Sequence, residues 1–496
     1  MRKIWTINRF EGGVAPSKYL GNSNQAAWLK HFDIDSEVGV LKQQLDMADD
    51  GTGLDSDPDI QKFLATNSKV YALGEDSSAK ACIYSKTISN ILIDAWTKEV
   101  TVSSGALRTE NNQMFLHYND YLYFTEGGDI TRYGPLSGSP SLTEGWGAAN
   151  FGSAIDAAGG LVAHSYVYFH HDNKLASWDG GSTYNINALD IDVDYTIQDI
   201  CIDAGGNNLL IAAHRGGNTY GDSQLYVWNR TSSSFYAIPT PDGIVKAVRN
   251  MGNFVRILCV KTAASSHEYG GVIIYDYAGG SLIKKHEYLV KGAILPLLER
   301  DAVFVDNNVI YFGLVYGDEA TYTKSGMFRY GQMKVGLPET FLLEKDLKGT
   351  NTHEVRQIYA LDRFKGATLC SYVNDVDAVN YVSKTQNGIA KNFTSTYESL
   401  ILSTNENNKI HKFLIETNPL ISGATITLKY KINEASSWTT VGTMTTAGEV
   451  YKEFYAPATG EFDNFRNLQL RIEMTGGDED TKIREIKTYY DEISRR

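Results

Sequence analysis

The residues of this 496-residue chain that could do chemistry are a few short runs of titratable side chains. Asp190, Asp192 and Asp194 alternate along a β-prone stretch, so three carboxylates would project from one side of a strand and offer hard oxygen ligands to Ca²⁺. The run lacks the glycine and the bidentate glutamate of a calcium-binding loop, and a solvated strand face is the stronger expectation. His170 and His171 precede Asp172 at a turn, but adjacent strand residues point to opposite faces, so the pair is not expected to serve one metal ion. The four cysteines, Cys82, Cys201, Cys259 and Cys370, stand far apart inside apolar runs with no CxxC pair. They read as small buried thiols of a reducing compartment. No phosphate loop, nucleophile elbow, zinc signature or dinucleotide fingerprint occurs, and neither a cofactor nor a metal is expected.

SWDGGSTY, Ser177 to Tyr184, follows the S-x-D-x-G-x-T-aromatic pattern known as an Asp box. Its Asp and Gly would stabilise the turn between two outer strands. The run resembles the boxes of sialidases, which are structural there too. The arginine cluster and nucleophilic tyrosine of such enzymes cannot be assigned from spacing. Trp438 could offer a stacking surface to a sugar, but as a large apolar ring it is expected to plug a domain core.

What would position these residues is a repeated pair of short strands. The clearest copy is NDYLYFTEGGDITRY, Asn119 to Tyr133, where a Glu-Gly-Gly-Asp turn separates two aromatic runs. The aromatic closing each second strand falls at Tyr84, Tyr133, Trp178, Trp228, Tyr275, Tyr330 and Tyr381, at intervals of 49, 45, 50, 47, 55 and 51 residues. A period of this length with about four strands per unit marks a β-propeller. The expectation is an all-β fold: a propeller, seven blades favoured and six the alternative, followed by a C-terminal β-sandwich. Residues 1–58 would form an N-terminal arm and ring-closing segment, with a short helix at Asn24–Lys30; 59–393 the propeller; and 394–496 the sandwich. In the last segment Leu468, Leu470 and Ile472 alternate with Gln469, Arg471 and Glu473, one face apolar and one wet.

A net charge of −13 argues against a nucleic-acid grip by the chain as a whole. The basic start MRKIWTINRFEGG has no apolar core and is not expected to be a secretory signal, and no apolar run is long enough to span a membrane.

The N-terminal stretch INRFEGGVAPSKYLGNSNQAAWLKHFDIDSEVGVLKQQ resembles the opening of a group of tailed-bacteriophage tail proteins. The matching positions are Phe10, Gly12 and Gly13, then Asp33, Ile34, Ser36, Gly39, Val40, Leu41 and Lys42, while Val38 stands where the relatives often carry proline. The C-terminal phrases Ile426–Tyr430 and Ser437–Gly442 extend the resemblance in layout. It implies a non-enzymatic virion component, a nozzle, hub or minor tail protein, made in the host bacterial cytoplasm and placed in the virion tail. Its partners would be other tail proteins and copies of itself in a ring around the DNA exit channel. It would touch exiting DNA only passively, without sequence-specific binding, and would not insert into membranes. Phe10, Gly12, Gly13, Asp33, Ile34 and Gly39 would then belong to an assembly arm. The alternative is a tail protein that binds a host-surface glycan or receptor, with a polysaccharide-degrading enzyme third.

Overall fold

Strand Tyr121–Glu126 shows the rule that builds most of the molecule. Successive side chains leave a strand on opposite faces. Leu122 and Phe124 pack with Tyr71 and Ile83 on one side, and Tyr123 packs with Trp146, Val167 and Phe169 on the other. A strand buried on both faces needs a near-continuous apolar run, and the sequence supplies one in each repeat. Turns between strands use residues with positive φ, such as Gly127 and Gly128.

The computed structural model describes all residues except 1, 16–17, 19–20, 23, 35–36, 38, 45–46, 56–58, 104, 109–111, 216–221, 232–234, 264–267, 292–294, 318–324, 334–337, 346, 348–354, 375–379, 386–393, 457–460, 478–479 and 494–496. It divides into two compact units. One comprises Met47–Gly326 and Leu347–Thr385; the other comprises Met1–Asp46, Met327–Asp346 and Gln386–Arg496.

The first unit is a β-propeller. Six antiparallel sheets of four strands each begin with strands Asp59–Ala65, Phe115–Tyr118, Gly159–Ala163, Thr196–Ile202, Ile244–Asn250 and Val355–Phe364. Each buries one face against the next: the third blade's Tyr168 and Leu175, for example, cluster with the fourth blade's Ile211 and Trp228. The last blade closes on the first through Ala360, Leu369 and Val382 with Phe63, Val70 and Tyr84. Its outermost strand is Met47–Asp49, which pairs with Asn380–Thr385, so the chain's early residues complete its last blade. This pairing covers an edge that would otherwise be free to mispair.

The count of self-contained blades is six, not the favoured seven. The repeat around residues 308–330 belongs to the 16-stranded sheet and is not a separate four-stranded one. Val309–Gly317 pairs with Leu295–Leu297 and Val303–Asp306, and Gly326–Gly331 pairs with Thr340–Lys345. The latter strand is drawn into the other unit by its parallel bridge, Leu343 to Lys30.

The second unit is a β-sandwich folded from one bent sheet. Leu402–Thr417, Lys482–Glu492, Tyr451–Tyr455 and Arg2–Ile7 make one layer. Thr425–Ile432, Thr439–Met444, Asn464–Thr475, Ser395–Ser399 and Ala26–Lys30 make the other. Between them lie Phe413, Tyr430 and Phe462, with Phe413 and Phe462 edge to face at 5.1 Å. Arg2–Ile7 and Ala26–Lys30 are therefore strands of the sandwich. The expected helix at Asn24–Lys30 is strand Ala26–Lys30: pairing with Ser395–Ser399 overrides the helix propensity of Gln-Ala-Ala. The one α-helix among the described residues is Trp146–Phe151, in a stretch the sequence presents as loop.

Candidate functional site

A charged pair set inside an apolar run, LPLLERDAVFV, builds the centre of the propeller. Arg300 and Asp301 lie in the single 3₁₀ turn Arg300–Ala302 and are both buried. Arg300 donates to the carbonyl oxygens of Gln113 at 2.9 Å and Ala158 at 2.8 Å, to Asp301 Oδ2 at 3.0 Å and to His170 Nε2 at 3.1 Å. One guanidinium thus ties its own turn to chain at the second and third blades. Gly159 is required for this approach, since a Cβ there would sit 2.3 Å from both Arg300 Nη1 and His170 Nε2. Because Arg300 donates to it, Nε2 of His170 carries no proton. Burial, reinforced by Arg300 and Lys62, holds that imidazole neutral, well below its ordinary range.

Asp301 answers both neighbouring cations. Lys62 Nζ lies 2.8 Å from Oδ1, and the Gln113 N–H donates to Oδ2 at 3.0 Å. Burial alone would raise the Asp301 carboxyl, but Arg300 and Lys62 outweigh it and hold it at about 2. Lys62 is pulled down by burial, with Asp301 opposing. Alongside, Arg249 pairs with Asp199 and donates to the carbonyls of Arg300 at 2.8 Å and Val303 at 3.3 Å. These residues, with Cys201 and Asn250, line a cavity of about 470 Å³. Asn250 is also engaged, donating to the Ile202 and Asp203 carbonyls. Asp362, on an inner strand, has its carboxyl raised by burial to about 7.

The ring closure carries a second buried charge cluster. Asp50, next to the closing strand, accepts from Lys86 Nζ at 2.7 Å, Lys384 Nζ at 2.8 Å and Trp96 Nε1 at 3.0 Å. Lys86 belongs to the first blade and Lys384 to the last. Sequence reasoning singled out none of these residues; the one local signal is charge inside an otherwise apolar strand or turn.

Of the residues that sequence reasoning did single out, His170 and Cys201 lie at the centre and the others elsewhere. Asp190 accepts from Asn173 at 2.8 Å, and Asp192 accepts the Asp194 N–H at 3.0 Å, a self-contained turn. His170 joins the central cluster, while His171 pairs with Lys174 at the hairpin end. Among the described residues no group of three or more His, Cys, Asp or Glu is arranged to hold a metal. In the Asp box, Asp179 Oδ1 accepts from the Gly181 and Thr183 N–H groups at 2.8 and 3.0 Å, and Trp178 stacks on Tyr184. All four cysteines are free and buried, and burial pushes the Cys82 thiol up to about 12.

Of the residues expected in an assembly arm, Phe10 and Ile34 are buried. Phe10 is buried edge to face on Tyr397 at 5.3 Å, and Ile34 is fully buried. Gly12 and Gly13 thread a crowded turn: the Gly12 N–H donates to the Asn24 carbonyl at 3.0 Å, and a Cβ on Gly13 would lie 2.8 Å from the Phe341 oxygen. Asp33 pairs in register with Lys42, and Gly39 turns at φ +82°. Ser36 and Val38 lie outside the described residues. Trp438 does not plug the core. It is half-buried on the outer face, with Lys431 Nζ 4.8 Å and Arg471 Cζ 5.1 Å from its ring.

No family model and no curated protein matches the chain. Among solved structures it is similar to the N-terminal domain of Nup159 (9% identity, 70% of this chain and 94% of that one, TM-score 0.37). It is likewise similar to the Pan2 WD40 domain of Neurospora crassa (8%, 70% and 96%, 0.38) and to a glycoside hydrolase (11%, 97% and 99%, 0.29). Likenesses this remote carry nothing about activity.

Proposed function

We propose that the protein is a non-enzymatic structural component of a bacteriophage tail, a nozzle, hub or minor tail protein that assembles with copies of itself and other tail proteins around the DNA exit channel. The observation that carries the structural part of this reading is the central cluster. Arg249, Arg300 and Lys62 face Asp199 and Asp301 in ion pairs, and the guanidinium N–H groups otherwise donate to backbone carbonyls and His170. Here the cavity's two carboxylates are clamped by cations, and Asp301 is held ionised far below neutrality. Such a cluster braces a frame. The tail assignment itself rests on the N-terminal phrase from Phe10 to Lys42.

Mass spectrometry and electron microscopy of purified virions test this reading. The expected result is the protein in stoichiometric amount in particles, with labelled antibody decorating the tail. Its absence from particles overturns the proposal.

A further inference from the structure

The outer face of one sandwich layer carries a row of partly exposed aromatic, apolar and charged side chains. Register places Tyr455, Lys412, Tyr489 and Ile4 side by side across four strands. Their neighbours along each strand alternate inward: Phe413, Phe454, Thr488 and Tyr490 are buried, so the row faces solvent. Tyr455 is 61% exposed, Ile4 54%, and Tyr451, on the same face of the same strand as Tyr455, 59%. Lys412 Nζ lies 5.6 Å from the ring of Tyr455 and 4.8 Å from that of Tyr489, and it is fixed by Glu453 at 2.5 Å. Beside it Lys487 pairs with Glu485.

We infer that this face is a binding platform for a neutral, unbranched polysaccharide. Two features select that ligand. First, the aromatic rings are interleaved with charged side chains at nearly every step. The core of a protein–protein interface is depleted of charge, so a protein partner would have to desolvate these ion pairs. A sugar instead stacks its C–H face on tyrosine and hydrogen-bonds its hydroxyls to those same ion pairs. Second, Tyr455 and Tyr489 stand two strands apart, roughly 10 Å at the ordinary strand spacing, which is about the length of a disaccharide. An extended chain can therefore stack on alternate residues. The pairing of Lys412 with Glu453 and of Lys487 with Glu485 leaves little net charge to draw a polyanion. The platform is independent of the virion reading: it stands or falls by binding of the purified chain.

The test is isothermal titration calorimetry of the full-length protein with cellohexaose, xylohexaose and maltohexaose, and with an alginate hexamer as charged control. At least one neutral hexasaccharide is expected to bind, with the alginate weaker. Tyr455→Ala and Tyr489→Ala are each expected to weaken it about tenfold, the order of a lost aromatic stacking contact. Tyr455→Phe keeps the ring and should keep the affinity. Thermal unfolding of each variant checks that the fold is intact. No binding of any neutral hexasaccharide at millimolar ligand overturns the inference, as does unchanged affinity in the Tyr455→Ala/Tyr489→Ala double variant. A concentration-dependent oligomer that Tyr455→Ala dissolves would mark the face as a contact between copies, and would equally overturn it.

Discussion

Replacing Asp50 with asparagine removes the charge that clasps the first blade to the last while keeping the side chain's size. Lys86 has no exposed side-chain surface, so its ammonium would be left buried without a counter-charge; Lys384 is 16% exposed and can turn toward water. Removing one partner of a buried pair typically costs about 3–5 kcal/mol. With Lys384 able to escape, about 3–4 kcal/mol is expected here. For domains of 150–250 residues each kcal/mol lowers Tm by about 2–4 °C. This unit is larger, so a drop of roughly 6–8 °C follows. Lys86→Met should cost less, about 1–2 kcal/mol, because Asp50 keeps Lys384 and Trp96. The double variant should cost clearly less than the sum of the two. Differential scanning calorimetry gives the energies, and hydrogen exchange at Met47–Asp49 and Asn380–Thr385 locates the damage. Strictly additive losses, or a lowered Tm with unchanged protection of the closing strand, would refute the clasp.

Three other outcomes are expected. Arg300→Met deprives the Gln113 and Ala158 carbonyls of a donor and should cost about 3–5 kcal/mol, seen as a lower urea midpoint. The two inner carboxyls should give opposite pH dependences in thermal melts. Asp301, held at about 2, contributes about 2 kcal/mol that is present above about pH 4 and lost as pH falls toward 2. Asp362, raised to about 7, keeps its proton in the folded state while the unfolded chain releases it, so its effect on stability declines from about pH 4 to 7. Asp362→Asn should therefore stabilise the protein at pH 8, by about 2–4 kcal/mol, and leave it unchanged at pH 4. Gly13→Ala, at φ +68° and against the Phe341 oxygen, should cost about 2 kcal/mol or more, read by chemical denaturation.

The blades were legible because each is built from neighbours in sequence: Tyr121–Glu126 and Asp129–Gly134 are joined by two residues, and their apolar runs and Gly-Gly turn announce the hairpin locally. The central cluster was not legible, because Gln113 and Arg300 stand 187 residues apart and meet only when the ring closes. Local pattern misled at Ala26–Lys30, where partners some 370 residues away decide for strand. It was incomplete around residues 308–330, where a repeat regular in sequence is joined to a larger sheet by the pairing of Leu343 with Lys30. The arm motif shows the limit of spacing as a guide to role. Phe10, Gly12 and Gly13 are special because the turn is crowded, and crowding is a property of three dimensions.

Strand Arg2–Ile7 is hydrogen-bonded to Lys482–Glu492, so a strand made early waits for one made about 480 residues later. At ordinary translation rates of about 5–20 residues per second the wait is roughly 25–100 s. A chain cut short anywhere before Lys482–Glu492 leaves Arg2–Ile7 without its mate, so such products should be marked for proteolysis by a loose early strand.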